Sequence, residues 1–282
     1  MRRIAILTLA ALPLAAWAGD SHHWRLDDRE SIRRTFAVPG GAGKLLVDNL
    51  QGYIHVTGYG GTEVQVSVEK RIYAVSSGAM ADAKRDVKLD ISQQGGMVRV
   101  YEDGPFRDHN GNHHRSDHDY GYRVVFDIDV QVPTATELEL KSLNSGIAVK
   151  KTTGDYSIHG LNGSIDMEDI AGAGTVNTLN GRVKVSFSRN PTKATQFKTL
   201  NGSVDVYFQQ GLNADLKFKK LNGGIYTDFE VASVPRAGEA GGTNGRFVYR
   251  SGREQNGRAG KGGPEVSFDT LNGSIRLHTR SI

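Results

Sequence analysis

The chain has 282 residues, with 35 glycines and no cysteine, and carries 35 Lys and Arg against 31 Asp and Glu. The lack of cysteine excludes disulfides, so stability has to come from burial and backbone pairing. A net charge of +4, which falls to +2 without Arg2 and Arg3, is too small to indicate a nucleic-acid-binding protein.

Residues 1–18 have the pattern of an export signal. Arg2 and Arg3 precede an apolar run over residues 4–14, and Ala16, Trp17 and Ala18 form an A-x-A cleavage site. The apolar run is shorter than the roughly 20 residues of a membrane-spanning helix, and no later run is long enough. We therefore expect a periplasmic or secreted, cell-surface protein without a transmembrane anchor, beginning with a flexible segment at 19–33.

Residues 34–137 combine a first repeat with β-strand patterns. Apolar and polar residues alternate over 63–68 and 123–132, and two further strand-like runs, 88–91 and 97–100, flank a glycine pair. Residues 78–87 have the composition of one short helix. This region predicts an antiparallel β-rich cap, because a stack of repeats needs its exposed edges covered.

A short phrase recurs through residues 138–282: Leu-Asn-Gly, one variable residue, then Ile or Val. A fixed-period repeat determines architecture before any single residue does. Looser versions stand at Leu50-Gln51-Gly52 and at Leu143-Asn144-Ser145. The five full versions contain Leu161, Asn162 and Gly163; Leu179, Asn180 and Gly181; Leu200, Asn201 and Gly202; Leu221, Asn222 and Gly223; and Leu271, Asn272 and Gly273.

Apolar residues recur at four places relative to each Asn: four before, one before, three after and five after. The place four after varies freely, as in Asp166, Lys184 and Arg276, and is expected to face solvent. Successive Asn residues from Asn144 to Asn222 are separated by 18, 18, 21 and 21 residues, with turn signals midway. An all-β solenoid of stacked 18–21-residue coils, interrupted by a Gly/Arg-rich insertion at 231–264, explains this recurrence better than an antiparallel meander.

In such a stack, the leucine column and the other three apolar columns would face the interior. Asn tolerates left-handed backbone, and stacked Asn side chains can form a hydrogen-bonded ladder. The following Gly is expected to have a positive φ. The alternative is that Asn-Gly only marks surface turns.

The chain resembles the bacterial putative-adhesin family of exported β-strand-repeat proteins. The resemblance rests on Asn49-Leu50-Gln51-Gly52-Tyr53-Ile54, on Gly60-Gly61-Thr62-Glu63, on Val132-Pro133 and on the Leu-Asn-Gly repeats, and it covers the chain from about residue 34 onward. It implies a β-solenoid with surface interactions, gives no catalytic residues, and offers only a weak association with envelope stress. The chain departs from the family near residues 110 and 250.

The loop at 103–119 is the candidate metal site. It holds four histidines beside Asp108, Asp117 and Asp119, a set that suits a divalent transition metal such as zinc, nickel or copper. The histidines are His109, His113, His114 and His118. The alternative is a solvated loop that binds metal only adventitiously. A calcium loop is disfavoured, because His113 occupies the place that requires Gly.

Residues 236–263 are rich in Gly and Arg, which is typical either of a flexible loop or of a contact with anionic polysaccharide or lipid headgroups. The acidic residues of the repeats are scattered, and Gly-x-Ser-x-Gly and HExxH motifs are absent, so we expect no enzyme and no cofactor beyond the metal alternative. The sequence thus favours a structural, adhesion or interaction role at the bacterial envelope, with a glycan or another envelope protein as partner. The alternatives are a metal-binding periplasmic protein and, less favoured, a polysaccharide-acting enzyme on a β-helix.

Overall fold

A computed structural model describes residues 24–41, 43–107, 119–234 and 254–280. These residues are mostly β-strand, with a single α-helix, α1 (Ser77–Asp86), and a 3-10 turn at Pro39–Gly41. None of the described helical structure has the length and apolar character needed to cross a membrane.

The strands before the central repeats are β1 (Leu26–Ala37), β2 (Lys44–Asn49), β3 (Ile54–Tyr59), β4 (Glu63–Ala74), β5 (Lys88–Gln94), β6 (Met97–Asp103) and β7 (Tyr122–Pro133). The strands that follow are β8 (Glu137–Ser142), β9 (Ile147–Lys150), β10 (Tyr156–Asn162), β11 (Ile165–Ile170), β12 (Gly174–Asn180), β13 (Val183–Phe187), β14 (Thr195–Asn201), β15 (Val204–Phe208), β16 (Ala214–Asn222), β17 (Ile225–Thr227), β18 (Ala232–Ser233), β19 (Glu254–Ala259), β20 (Glu265–Asn272) and β21 (Ile275–Thr279).

These strands form two large mixed sheets. Sheet A has the order β1-β4-β7-β3-β9-β11-β13-β15-β21-β17, and sheet B has the order β18-β19-β16-β20-β14-β12-β10-β8-β2-β6-β5. Each repeat contributes the strand before its Asn to sheet B and the strand after it to sheet A. Neighbouring repeats pair in parallel with equivalent residues opposite one another, as in Val176↔Phe197 and Val185↔Val206.

Three of the four expected apolar columns are buried. The place four before the Asn holds fully buried side chains such as Leu140, Ile158 and Phe197, and the places three and five after it hold residues such as Val183 and Val185. Two sheets packed through such columns form one continuous core. Aromatic rings also stack within it, Phe197 on Phe268 at 5.7 Å between centroids and Phe218 on Phe268 at 5.3 Å.

The expectation that the repeat leucines face the interior is wrong. Leu161, Leu179, Leu221 and Leu271 expose 37–43% of their surface, and of the seven leucines at this place only Leu50 is buried. Side chains alternate along a strand, so a residue three places after an inward one points outward. The inward place is instead two before the Asn, where buried Ser142, Thr178, Thr199 and Thr270 stand.

These inward hydroxyls bind the backbone of the corner between the sheets. Thr178 Oγ1 donates to the Gly163 carbonyl at 2.9 Å, and Thr199 Oγ1 donates to the Gly181 carbonyl at 2.8 Å. Thr270 Oγ1 makes the same bond to Gly202 at 3.1 Å. A buried hydroxyl needs such a partner, so the threonines satisfy carbonyls that the turn would otherwise leave unpaired.

The expected asparagine ladder is present on the outside of the same corner. The ladder runs through Asn144, Asn162, Asn180, Asn201, Asn272 and Asn222 in that order, and from Asn162 onward each Nδ2 donates to the Oδ1 of the Asn before it at 2.7–3.0 Å. The ladder follows the stacking order rather than the chain order, because the last repeat lies between two earlier ones. Strand β20 sits between β14 and β16, and β21 sits between β15 and β17.

A tight crossover places the last repeat in that position. Strands β19 and β20 are consecutive in sequence but flank β16 on its two sides, so residues 260–264 cross over the start of β16. Gly260 and Gly262 have φ values of 56° and 77°, which favour glycine, and Lys261 N donates to Asn213 Oδ1 at 2.8 Å. Part of the Gly/Arg-rich insertion is therefore ordered strand and turn.

The N-terminal region contains the expected helix and antiparallel pairs. Ser76 Oγ caps α1 by accepting from Ala79 N at 3.2 Å, and β5 pairs with β6. The expectation of a flexible segment at 19–33 is wrong for residues 26–33. These residues belong to β1, which pairs with β4 along its whole length. The signal pattern at 1–18 lies outside the described residues.

The corner glycines are required for a different reason from the one expected. Of the glycines in the five full repeats, only Gly223 has a positive φ, of 123°. A β-carbon built on Gly181 would instead overlap the Gly163 carbonyl, and one on Gly202 would overlap the Gly181 carbonyl. Close approach of stacked backbones therefore excludes a side chain.

We predict that Gly181→Ala lowers the free energy of unfolding by about 1–3 kcal/mol, since its methyl group has to force two stacked backbones apart. Gly60→Ala is the matched control, because a β-carbon there meets no atom within 4 Å, and its effect should stay within about 0.5 kcal/mol. Urea unfolding followed by circular dichroism measures both; equal stability of the two variants would contradict the close approach.

We predict that Ile165→Ala costs about 2–5 kcal/mol of stability, because Ile165 is fully buried and its removal leaves a cavity. Leu179→Ala should cost less than about half as much, because Leu179 is 38% exposed and water can fill the space it leaves. The same unfolding measurement ranks the two variants. A larger loss for Leu179→Ala would show that the leucine column carries the core.

Candidate functional site

The outer face of sheet A carries a cluster of aromatic and charged side chains where β13, β15, β21 and β17 lie side by side. We call this cluster the outer-face patch; it comprises Lys184, Asp205, Tyr207, Tyr226, Asp228, Arg276 and His278. The same strands direct Val206, Phe208 and Leu277 into the core. Strand alternation therefore fixes which residues can form the patch.

Contacts within the patch hold its rings and charges in place. The His278 ring stacks on Tyr207 with 4.6 Å between centroids and an interplanar angle of 23°, and His278 Nδ1 lies 3.1 Å from Asp228 Oδ2. Arg276 Nη1 donates to Asp205 Oδ1 at 3.2 Å. Two neighbouring rings are thereby fixed parallel, with charged groups on either side.

Tyr226 is the most accessible ring of the patch, with 58% of its surface exposed. The Arg276 guanidinium lies 5.8 Å from its centroid, and Lys184 Nζ lies 5.7 Å from the centroid of Tyr207. An exposed tyrosine offers a ligand an apolar face together with a hydroxyl. The patch therefore combines surfaces for stacking with donors and acceptors for polar groups.

A second polar cluster is buried where β6 ends. Glu102 is 1% exposed, and its Oε2 accepts from Leu50 N at 2.6 Å and from Gln51 N at 3.4 Å. Burial raises the pKa of Glu102 to about 7, although those two bonds and the nearby Arg107 act in the opposite direction. Arg107 Nη2 donates to Asp48 Oδ1 at 2.7 Å.

Glu102 was not among the residues predicted from the sequence, although strand alternation contained the signal. Val98, Val100 and Glu102 occupy successive inward places of β6, so a carboxylate stands where the pattern requires an apolar residue. The same reasoning applies to Lys70 in β4.

The candidate metal ligands His109, His113, His114 and His118 lie outside the described residues. Over the described ranges, no group of three or more His, Asp or Glu side chains is arranged to hold a metal ion. His55 lies 3.1 Å from Asp129, and His159 lies 3.0 Å from Ser157 Oγ. Burial lowers the pKa of His159. These histidines are separate and do not form a ligand set.

No protein-family model matches the chain, and no curated protein matches it. Among solved structures, it is similar to a putative cell adhesion protein from Clostridium sporogenes, with 12% identity and a TM-score of 0.45 over 90% of this chain and 100% of that one. It is also similar to a putative adhesin from Bacteroides fragilis, with 12% identity and a TM-score of 0.38 over 89% and 97% of the two chains.

A third similar structure is a putative lipid binding protein from Parabacteroides distasonis, with 12% identity and a TM-score of 0.29 over 90% of this chain and 97% of that one. TM-scores below 0.5 assign the chain neither a family nor a function. The function therefore rests on the residues of the chain itself.

We predict that Glu102 makes the protein less stable as the pH rises. Its pKa is about 7 in the folded protein and about 4.5 when exposed, so the folded state holds the proton more tightly. This contribution is fully present below about pH 4.5 and is lost as the pH rises through about 7, with an amplitude on the order of 3 kcal/mol.

Glu102→Gln cannot titrate, so the fall in its free energy of unfolding between pH 4.5 and 8 should be smaller than that of the wild type. Urea unfolding at both pH values measures the difference. Glu63→Gln, at an exposed place, is the control and should follow the wild type. Parallel pH profiles for Glu102→Gln and the wild type would contradict the raised pKa.

Proposed function

We propose that the chain is an exported, non-enzymatic binding protein of the bacterial cell envelope. In this proposal a β-solenoid acts as a rigid scaffold, and the outer-face patch binds an envelope glycan. The single observation that carries the proposal is the concentration of parallel rings, one exposed tyrosine and paired charges on one outer face of adjacent strands.

The solenoid part of the proposal is supported by the in-register pairing of equivalent residues. Asn162, Asn180 and Asn201 stand opposite one another in sheet B, and Val183 and Val204 do so in sheet A. Parallel strands that recur with every repeat, one in each sheet, are what a coiled chain produces. The continuous asparagine ladder supports the same arrangement.

The envelope location is supported by the export-signal pattern of residues 1–18. The binding role is supported by the contrast between the two sides of sheet A. In strands β13, β15 and β21 the buried inward places are apolar, whereas the outward place four after the Asn changes from Asp205 to Tyr226 to Arg276. Side chains that the fold does not constrain are free to serve recognition.

A glycan fits the chemistry of the patch. Aromatic rings stack on the apolar faces of sugar rings, while carboxylates and the guanidinium bond hydroxyl groups. Tyr226 supplies an open ring, Arg276 lies beside it, and Asp205 lies on the other side of Arg276.

The proposal predicts saturable binding of envelope polysaccharide by the protein from residue 19 onward, measured on a glycan array and then by calorimetry. Tyr226→Ala should weaken that binding at least tenfold, because it removes the exposed ring. Tyr53→Ala is the matched control, since Tyr53 is similarly exposed, at 56%, but lies outside the patch, and its affinity should equal that of the wild type.

Absence of glycan binding by the wild type would overturn the proposed function. An equal loss from both tyrosine variants would overturn the assignment to the patch. Cleavage of the bound glycan during the measurement would show an enzyme and would contradict the non-enzymatic role.

A further inference from the structure

A lysine interrupts the inward row of β4. Val64, Val66, Val68, Ile72 and Ala74 are buried apolar side chains at alternate places of the strand, and Lys70 occupies the remaining inward place. Its side chain is only 13% exposed. A buried cation is costly unless a counter-ion compensates it, so its surroundings decide what it does there.

Lys70 faces a cavity of about 520 Å³ at the N-terminal end of the space between the sheets. We call it the end cavity. It lies between β1, β4 and β7 on one side and the C-terminal part of α1 with the start of β5 on the other. Its apolar wall is formed by Ile32 and Leu89, which keep part of their surface exposed, with the buried Ile72, Val87 and Phe126 behind them. The volume falls within the range of small-molecule sites.

Cations predominate among the charged groups around the end cavity. Arg29, Lys70, Lys84 and Lys88 line it, against the two carboxylates of Asp28 and Glu30. Lys84 Nζ already pairs with Asp28 at 2.7 Å, whereas Lys70 Nζ lies 4.0 Å from the nearest carboxylate, that of Glu30. Lys70 is therefore weakly compensated.

Burial lowers the pKa of Lys70, and the nearby Lys88 and Lys84 lower it further against the opposing effect of Glu30 and Asp28. Lys70 Nζ also lies 5.8 Å from the centroid of Phe126, so the cation and the apolar wall share one space. An anion entering this space would give Lys70 a close counter-ion, since the Glu30 carboxylate stands 4.0 Å away.

We propose that the end cavity binds a single-chain amphiphilic anion. Its acidic headgroup, a carboxylate or a phosphate, contacts Lys70, and its alkyl chain packs on Ile32 and Leu89. This site is separate from the outer-face patch and does not depend on it, because the cavity opens between the sheets at their other end.

The test is calorimetric titration of the protein from residue 19 onward with decanoate, decyl phosphate, decyl glucoside and inorganic phosphate, each below micelle formation. Both decyl anions should bind saturably. Decyl glucoside, which has the same tail without the charge, should bind at least tenfold more weakly, and inorganic phosphate should not bind. Decanoate and decyl phosphate together distinguish the two headgroups.

Lys70→Met keeps most of the side-chain volume and removes the charge, so it should weaken anion binding at least tenfold. Because it also removes an uncompensated buried cation, it should unfold at a temperature no lower than that of the wild type. Lys150→Met is the control: Lys150 is exposed and pairs with Glu168 on the outer face of sheet A, and its removal should leave anion binding unchanged.

Failure of both decyl anions to saturate the wild type would overturn the proposal. Equal binding of decyl glucoside would overturn the role of the charge, because the cavity would then recognise only the alkyl chain. Equal binding of inorganic phosphate would overturn the role of the alkyl chain, because the cavity would then recognise only the anion. Unchanged affinity in Lys70→Met would also overturn the proposal. The comparison of ligands on the wild type stands whether or not that variant folds.

Discussion

At each corner between the two sheets, the backbone of one repeat rests directly on the backbone of the next. Gly181 N donates to the Asn201 carbonyl at 3.1 Å, and Gly202 N donates to the Asn272 carbonyl at 3.0 Å. Contact this close leaves no room for a side chain, and it sets the distance at which the threonine hydroxyls and asparagine amides reach their partners. The same contact keeps the equivalent core residues of neighbouring repeats in register.

Because the corners fix the stacking of the repeats, the inward and outward side chains of each strand are under different constraints. The inward side is apolar apart from the row of hydroxyls that bonds the corner, because every residue packs against its equivalents above and below. The outward side carries no such constraint, and the rings and charges of the outer-face patch lie there. The exceptions to the inward rule, Glu102 and Lys70, stand in the N-terminal region, where the pairing changes from parallel to antiparallel.

The sequence predicted the strands of the repeats, the helix and the asparagine ladder, because each is a local or periodic property, but it missed β1 and β19. It misplaced the leucines, because recurrence shows that a place is constrained without showing in which direction its side chain points. Strand alternation starting from the inward Phe197 would have placed Thr199 inside and Leu200 outside. Glu102 and Lys70 could have been found by the same count, whereas the outer-face patch depends on strand order, which is not a local property.

Strand order also carries a consequence for how the chain folds. Repeats with nearly identical phrases are interchangeable partners, so the strands around Asn201 and Asn222 can pair directly before residues 265–279 have been synthesised. The native arrangement requires that gap to stay open for β20 and β21. Folding therefore cannot proceed strictly from the N-terminal end. Two strand orders compete: the native one, with β20 between β14 and β16, and one in which β14 pairs directly with β16. The crossover at residues 260–264, with β19 paired to the other edge of β16, is present only in the native order.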